Sequence, residues 1–351
     1  MSDDSSWPGD PPVRAGAFDA LTPDLVLTAV EDAFDLVLDG TIDPYPSYVN
    51  RVYGLRDDDA HEYIVKFYRP GRWNIDAIAA EHEFVLQCAE AEVPVVPPLP
   101  DADGYTLQSF EIESAPGQSD AGQPDNEFVF AVYDKRGGRG FDAERDDDWF
   151  RLGALAGRLH EVGRRGSAPE RIVCTPLLST ARFVDELRAA AVVHPELSDE
   201  FFAVADGGVS AIAPLFDGVE VCRIHGDFHR GNVLERADEG LVLIDFDDMM
   251  TGPPVQDLWL LLPDHAHASR RQLTHILDGY EQFAPFDRST LGLIEPLRFM
   301  RMIYYLAWSA LQRDDNRFVH ANPDWGTRAF WIQEVEDLRT QLGVIRDDAS
   351  Q

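Results

Sequence analysis

The sequence predicts an α+β chain of two lobes, β-rich towards the N-terminus and mainly helical towards the C-terminus. Three observations carry this expectation. Period-two apolar alternation lies mainly within the first 134 residues. The glycine-rich run KRGGRG follows at 135–140. Beyond it, apolar residues recur at helical spacing, interrupted by one polar β insert.

The elements follow in chain order. Residues 1–20 open with MSDDSSWPGD, which lacks the basic and apolar regions of a signal peptide. They read as a disordered acidic tail of a cytoplasmic protein. A helix is expected over 22–40, with Thr22 as N-cap, Pro23 at the first helical position and Gly40 ending it. SYVNRVYGL (47–55), the turn RDDD and HEYIVKFYR (61–69) form a hairpin. IDAIAAEHEFVLQCAEAE (75–92) is helical, and VPVVPP stops it. GYTLQSF (104–110) and EFVFAVYD (127–134) add strands to what is expected to be a five-stranded mixed sheet. The lobes are then 21–134 and 141–345, with 135–140 as a flexible hinge. In the second lobe, helical patterns run through 146–165, 181–191, 254–262, 268–283, 290–313 and 325–342. The β insert lies between VEVCRIHGD and LVLIDFDD. This is the plan of a protein-kinase-like fold.

Composition excludes several classes. The chain has 351 residues and a net charge of −33, from 63 acidic against 30 basic residues. Such a surface repels nucleic acid and anionic membranes. The acids are scattered rather than blocked, which reads as adaptation to a salty cytoplasm; a partner-binding acidic face is the alternative. No apolar run is long enough to span a bilayer. Cys88, Cys174 and Cys222 show no CxxC spacing and fit buried thiols in a reducing compartment. Lysine occurs only at 66 and 135. Lys66, in a strand, therefore reads as a compact ammonium kept for phosphate oxygens, or as a guard on an edge strand.

RIHGDFHRGN (223–232) and LVLIDFDD (241–248) carry the chemistry. Kinases place a catalytic-loop Asp, an Asn five residues later, and a metal-binding Asp on the next hairpin. Asp227, Asn232 and Asp245 have that order and spacing. Asp227 is expected to accept or orient the proton of an attacking hydroxyl. Asn232 and Asp245 offer the hard oxygen ligands that Mg²⁺ selects, with ATP phosphates and water completing its shell. The crowded acids are thereby neutralised.

On these motifs the chain resembles the aminoglycoside phosphotransferase/choline kinase-like superfamily, and more narrowly its branch of bacterial stress-response Ser/Thr kinases. SYVNRVY (47–53), IVKFYRPGRWNIDAI (64–78), EHEFVLQCAEAEVPV (81–95), GGRGF (137–141), RIHGDFHRGNVL (223–234), IDFDDMMTGPPVQDLWLLL (244–262) and IEPLRFMRMIYYLAW (294–308) carry it. The resemblance implies Asp227 as catalytic base, with Asp245 sharing the catalytic site. It implies Asn232 and Asp245 as Mg²⁺ ligands, and Lys66 on the ATP α/β-phosphates, paired with Glu81. It implies Ser47 as an ATP contact and the backbone of 130–133 as the adenine hinge. The acceptor it implies is Ser/Thr of proteins; a small alcohol of the aminoglycoside, choline or homoserine type is the alternative. No GxGxxG covers the phosphates, and there is no activation loop or APE segment.

Other readings accompany these residues. Glu81 alternatively is a solvated helical acid. His225 reads as a brace for the catalytic loop. His229 reads as structural or solvent-facing, or as a third metal ligand. Asp247 and Asp248 either assist the metal or cap a turn, and Asp257 reads as an anchor for the loop. A nucleotide-binding scaffold without turnover and a metal-dependent phosphohydrolase are the readings from other classes; the latter needs neither Lys66 nor a hinge.

Overall fold

A computed structural model describes residues 18, 20–47, 49–112, 127–237 and 239–348. The expected acidic tail lies almost wholly outside these residues. Phe18, at its end, is instead buried, stacked on Phe128 and covered by the Arg51 and Arg69 guanidiniums.

Helix α1 (Pro23–Phe34) starts at Thr22, whose side chain accepts from Leu25 N. It ends earlier than expected, because Asp35 turns left-handed and Leu38–Pro44 becomes strand β1. Strands β2 (Arg51–Asp57) and β3 (Glu62–Phe67) form the expected hairpin. Helix α2 (Ile75–Glu90) follows, capped by Asn74, and then β4 (Gln108–Glu111) and β5 (Glu127–Asp134). The sheet order is β1-β2-β3-β5-β4, and every pairing is antiparallel. The expected mixed sheet is thus corrected: α2 returns the chain to the far side of β3 without making a parallel neighbour. Val26 and Val30 of α1 pack with Leu55, Val65, Phe67 and Phe130 on one sheet face. Each such side chain contributes about 1.5–3 kcal/mol by burial.

The chain leaves the sheet through 135–138, and Arg139–Gly140 forms β6. The helical lobe holds α3 (Asp146–Gly163), a π-helical turn Pro176–Thr180, α4 (Ala181–Ala189) and α5 (Ser198–Ile212). The polar insert comprises β7 (Cys222–Ile224), β8 (Val233–Arg236), β9 (Gly240–Leu243) and β10 (Met250–Gly252). Here β6 pairs with β8, and β10 with β7. Helices α6 (Val255–Trp259), α7 (Arg270–Tyr280), α8 (Ile294–Ala310), α9 (Asn316–Ala321) and α10 (Arg328–Asp348) complete it. Helix α5 was not expected, and it contains a glycine pair, Gly207-Gly208, which weakens a helix. The glycine serves packing instead: a Cβ at Gly208 would sit 2.2 Å from the Phe299 ring of α8. The result is a two-lobe, kinase-like α+β fold with its cleft between α2, β3 and the polar insert.

Candidate active site

The polar insert is held from below. Asp257, fully buried in α6, accepts from His225 N at 2.8 Å, Gly226 N at 2.9 Å and His160 Nε2 of α3 at 2.9 Å. His225 braces the other side. Its Nδ1 accepts from Asp227 N at 3.2 Å, so Nε2 carries the proton and donates to Ile244 O at 3.0 Å. Both residues thus have the structural roles their positions suggested. Gly226 sits at φ +81° with its α-carbon pressed towards Asp248 O. The loop therefore presents Asp227 in one orientation.

Asp227 is shared among three groups. Its Oδ1 accepts from Arg301 Nη2 of α8 at 2.5 Å, and its Oδ2 faces His229 Nε2 at 3.4 Å. Asn232 Nδ2 donates to the Asp227 carbonyl at 3.0 Å and to Oδ2 at 3.4 Å. Burial opposes ionisation, but the His229 hydrogen bond and the Arg301 guanidinium prevail and hold the carboxyl well below its ordinary range. The same hydrogen bond raises the His229 imidazole.

Asp245 follows β9 with φ +62°, an uncommon conformation for a non-glycine residue that costs about 1–3 kcal/mol. Its side chain is 55% exposed and enters the cleft. There it meets Lys66. The Lys66 ammonium, on β3, lies 3.2 Å from Asp247 Oδ1, 3.4 Å from Asp245 Oδ1 and 3.5 Å from Glu81 Oε1. Burial disfavours the charge on Lys66, yet Asp247, Glu81 and Asp245 outweigh it and raise its pKa. Glu81, buried on α2, is pushed upward by burial against the pull of Lys66. Asp247, also buried, is held well below the carboxylate range: Arg72, Lys66 and Arg171 overcome the cost of its burial.

Ser47 lies in the turn between β1 and β2, where its carbonyl accepts from Arg51 Nη1 at 3.2 Å. The backbone of 130–133, expected as the adenine hinge, lies within β5. Phe130 pairs with Phe67 on one side and Gln108 on the other, and Val132 O accepts from Leu99 N. Chain outside the strand begins beyond Asp134.

Several site residues were not foreseen. Arg72, from FYRPGRW, bonds Asp247 Oδ2 at 3.0 Å and Asp248 Oδ1 at 2.6 Å. Arg171, whose side chain is fully buried, donates to the carbonyls of Met249, Asp247 and Ala77 and so ties α2 to the turn after Asp245. Arg301 and Tyr304, one helical turn apart on α8, hold Asp227 and Asp248 respectively. The segments of Arg72 and Arg301 were conspicuous in the sequence and that of Arg171 was not, but in none of them does a spacing name the arginine's partner.

Two lobes closing on a lysine ringed by carboxylates, beside an Asp–Asn loop, define a phosphotransferase. The chain belongs to the phosphotransferase enzyme (APH) family, whose sequence profile matches residues 41–293. It is similar to stress response kinase A of Escherichia coli strain K12, with 34% identity over 95% of this chain and 96% of that protein. It is also 33% identical to the serine/threonine protein kinase RdoA of Salmonella typhimurium strain LT2, over 95% and 96% of the two chains. Among solved structures, amicoumacin kinase hAmiN bound to AMP-PNP, Ca²⁺ and Ami superposes with a TM-score of 0.69 at 18% identity, covering 91% of this chain and 93% of the other. A microcompartment-associated aminopropanol kinase gives 0.64 at 17%, over 93% and 97%. These two structures share the fold.

Proposed function

We propose that this chain transfers the γ-phosphoryl group of ATP to a hydroxyl, with Ser/Thr side chains of proteins as acceptors. The observation that carries the reading is the Lys66 ammonium placed among Glu81, Asp245 and Asp247 where the lobes meet. A lysine so held is ready for phosphate oxygens, and a phosphohydrolase without nucleotide has no need of it.

In this reading Lys66, kept in place by Glu81, binds the α/β-phosphates, and Ser47 approaches ATP from the β1–β2 turn. Asp227 orients the acceptor hydroxyl and takes its proton. The hydroxyl oxygen forms a bond to the γ-phosphorus while the bond to the β–γ bridging oxygen breaks, and ADP leaves. Mg²⁺ fits the donor set. Asn232 uses Nδ2 for both of its bonds to Asp227, so Oδ1 is available, and the Asp245 carboxylate is exposed in the cleft. Among the described residues no group of three or more His, Cys, Asp or Glu side chains is placed so that it could hold a metal ion by itself. Mg²⁺ bound by Asn232 and Asp245 would draw its remaining ligands from phosphates and water, and it supplies neutralisation of phosphate charge.

The protein acceptor draws its support from the names of the relatives at 33–34% identity. The small-substrate kinases are alike in fold at 17–18% identity, which makes a small alcohol the second reading. A net charge of −33 disfavours nucleic acid and anionic membrane surfaces as partners. Three free buried cysteines accord with the cytoplasm.

The test is phosphotransfer from labelled ATP into lysate proteins, read by mass spectrometry in dilute buffer and in molar KCl. Asp227→Asn should abolish labelling while keeping the nucleotide-induced thermal shift. Full labelling by that variant would refute the assignment.

A further inference from the structure

The inference rests on the reading above and concerns the acceptor side of the same site. Arg301 touches Asp227 on one side and lines a small cavity on the other. The wall of that cavity includes Cys174, Thr180 of the π-helical turn, Phe183 of α4, and Met300 and Tyr304 of α8. Burial pushes the Cys174 thiol up to about 12, and burial with Asp248 raises the Tyr304 phenol further, so neither is charged near neutral pH. Arg301 is then the one charged group among the residues lining it.

The guanidinium is also incompletely used. Nη2 is bound to Asp227, but Nη1 is buried without a hydrogen-bond partner and is 4.0 Å from Asp248 Oδ2. The Tyr304 ring lies 4.8 Å beneath it, and the Tyr304 hydroxyl is tied to Asp248, so the group cannot readily turn away. A buried, charged N–H without an acceptor is costly to leave unmade. An oxygen arriving beside Asp227 would satisfy it.

We propose that Arg301 is a specificity-determining residue of the acceptor site. Its unengaged N–H receives a carbonyl or carboxylate oxygen adjacent to the acceptor hydroxyl, and its charge turns away cationic acceptors. The cavity beside it, of about 30 Å³, has room for little more than that oxygen. The acceptor class is a Ser or Thr flanked by acidic or neutral residues, not a polyamine alcohol. This runs against the field of the whole molecule, since a net charge of −33 attracts cations from a distance. The two effects separate with salt: at 1 M the screening length is about 3 Å, and only direct contact survives.

The experiment uses the full chain in 1 M KCl with labelled ATP. The acceptors are a degenerate Ser/Thr peptide library with Glu or Arg fixed beside the acceptor, kanamycin and choline. The Glu library should exceed the Arg library in kcat/KM by about tenfold or more, with no transfer to either amine. Arg301→Gln should lower kcat for both libraries, because Asp227 loses its guanidinium partner, and should bring their kcat/KM values close together while leaving KM for ATP nearly unchanged. Arg301→Lys should retain the order. Preference of the native chain for the Arg library, kanamycin or choline overturns the inference and leaves phosphotransfer standing. So does an equal rise of both KM values in Arg301→Gln. Transfer to no acceptor of either charge, with ATP shown to bind by thermal shift, overturns the phosphotransfer reading and this inference with it.

Discussion

Lys66 Nζ and Asp245 Oδ1 stand 3.4 Å apart across the cleft although 179 residues separate them in the chain. The same ammonium is close to buried Glu81 and buried Asp247, so its removal exposes like charges to one another. Breaking a buried pair from one side costs about 3–5 kcal/mol. Arg72 and Arg171 remain near Asp247 and offset part of this. Lys66→Met should therefore lower stability by about 2–3 kcal/mol in urea titration and remove the ATP-induced thermal shift. Lys66→Arg should not restore it, because a planar fork cannot replace a compact ammonium. A Lys66→Met variant with native stability would show that these carboxylates do not converge on residue 66.

Gly226 is the narrowest point of the catalytic loop. A Cβ added there would stand 2.1 Å from Asp248 O, and the backbone is left-handed at φ +81°. The neighbour is main chain tied into the Arg72–Asp248–Tyr304 group, so it cannot yield cheaply. Gly226→Ala should cost about 3 kcal/mol in urea titration, combining the left-handed penalty with overpacking. Phosphotransfer should fall more than stability requires, since Asp227 is the next residue. An alanine variant with native stability and activity would contradict the described loop.

A second tie joins the lobes. Asp315, buried at the N-cap of α9, receives Arg51 Nη2 at 3.0 Å and Arg69 Nη2 at 2.9 Å on the same Oδ2. Burial raises the cost of its charge, but Arg69 and Arg51 keep the carboxyl below its ordinary range. Asp315→Ala removes the carboxylate that both guanidiniums share and should cost about 3 kcal/mol. Amide exchange should quicken in β2 and in residues 68–73 more than in α3. Because buried pairs are screened little, the loss should be similar in 0.1 M and 1 M KCl. A loss that vanishes at high salt would mean that the tie is an exposed surface pair.

The legibility of this chain followed the reach of each signal. Asp227, Asn232 and Asp245 were readable because their spacing is short and their residue types are chemically constrained; Asn232 and Asp227 are in fact hydrogen-bonded. The β2–β3 hairpin and α2 were readable from local periodicity and caps. Strand β1 was absorbed into the preceding helix, because DLVLDG fits either period and only the left-handed turn at Asp35 separates them. The arginines at 72, 171 and 301 were not assigned. Their partners lie 176, 76 and 74 residues away, and no local pattern encodes such distances. What was overlooked is thus the site's arginines, whereas its lysine, Lys66, was anticipated.

Glu334 gives a pH-dependent test far from the cleft. Burial, with Asp337 adding like charge, pushes its carboxyl from 4.5 up to about 7. It lies half-buried on α10. In the unfolded chain it ionises near its ordinary pKa, so between there and about 7 the folded state holds a proton that the unfolded state has lost. The associated stability is complete below about 4.5 and disappears as pH rises through about 7. Glu334→Gln removes the ionisation and should stabilise the protein at pH 8 but not at pH 4. With allowance for solvent screening the gain is about 1–2 kcal/mol, or roughly 1–3 °C in Tm for a chain of this size. Melting curves across that range decide it: an equal gain at both pH values would assign the effect to helix propensity or packing rather than to a buried charge.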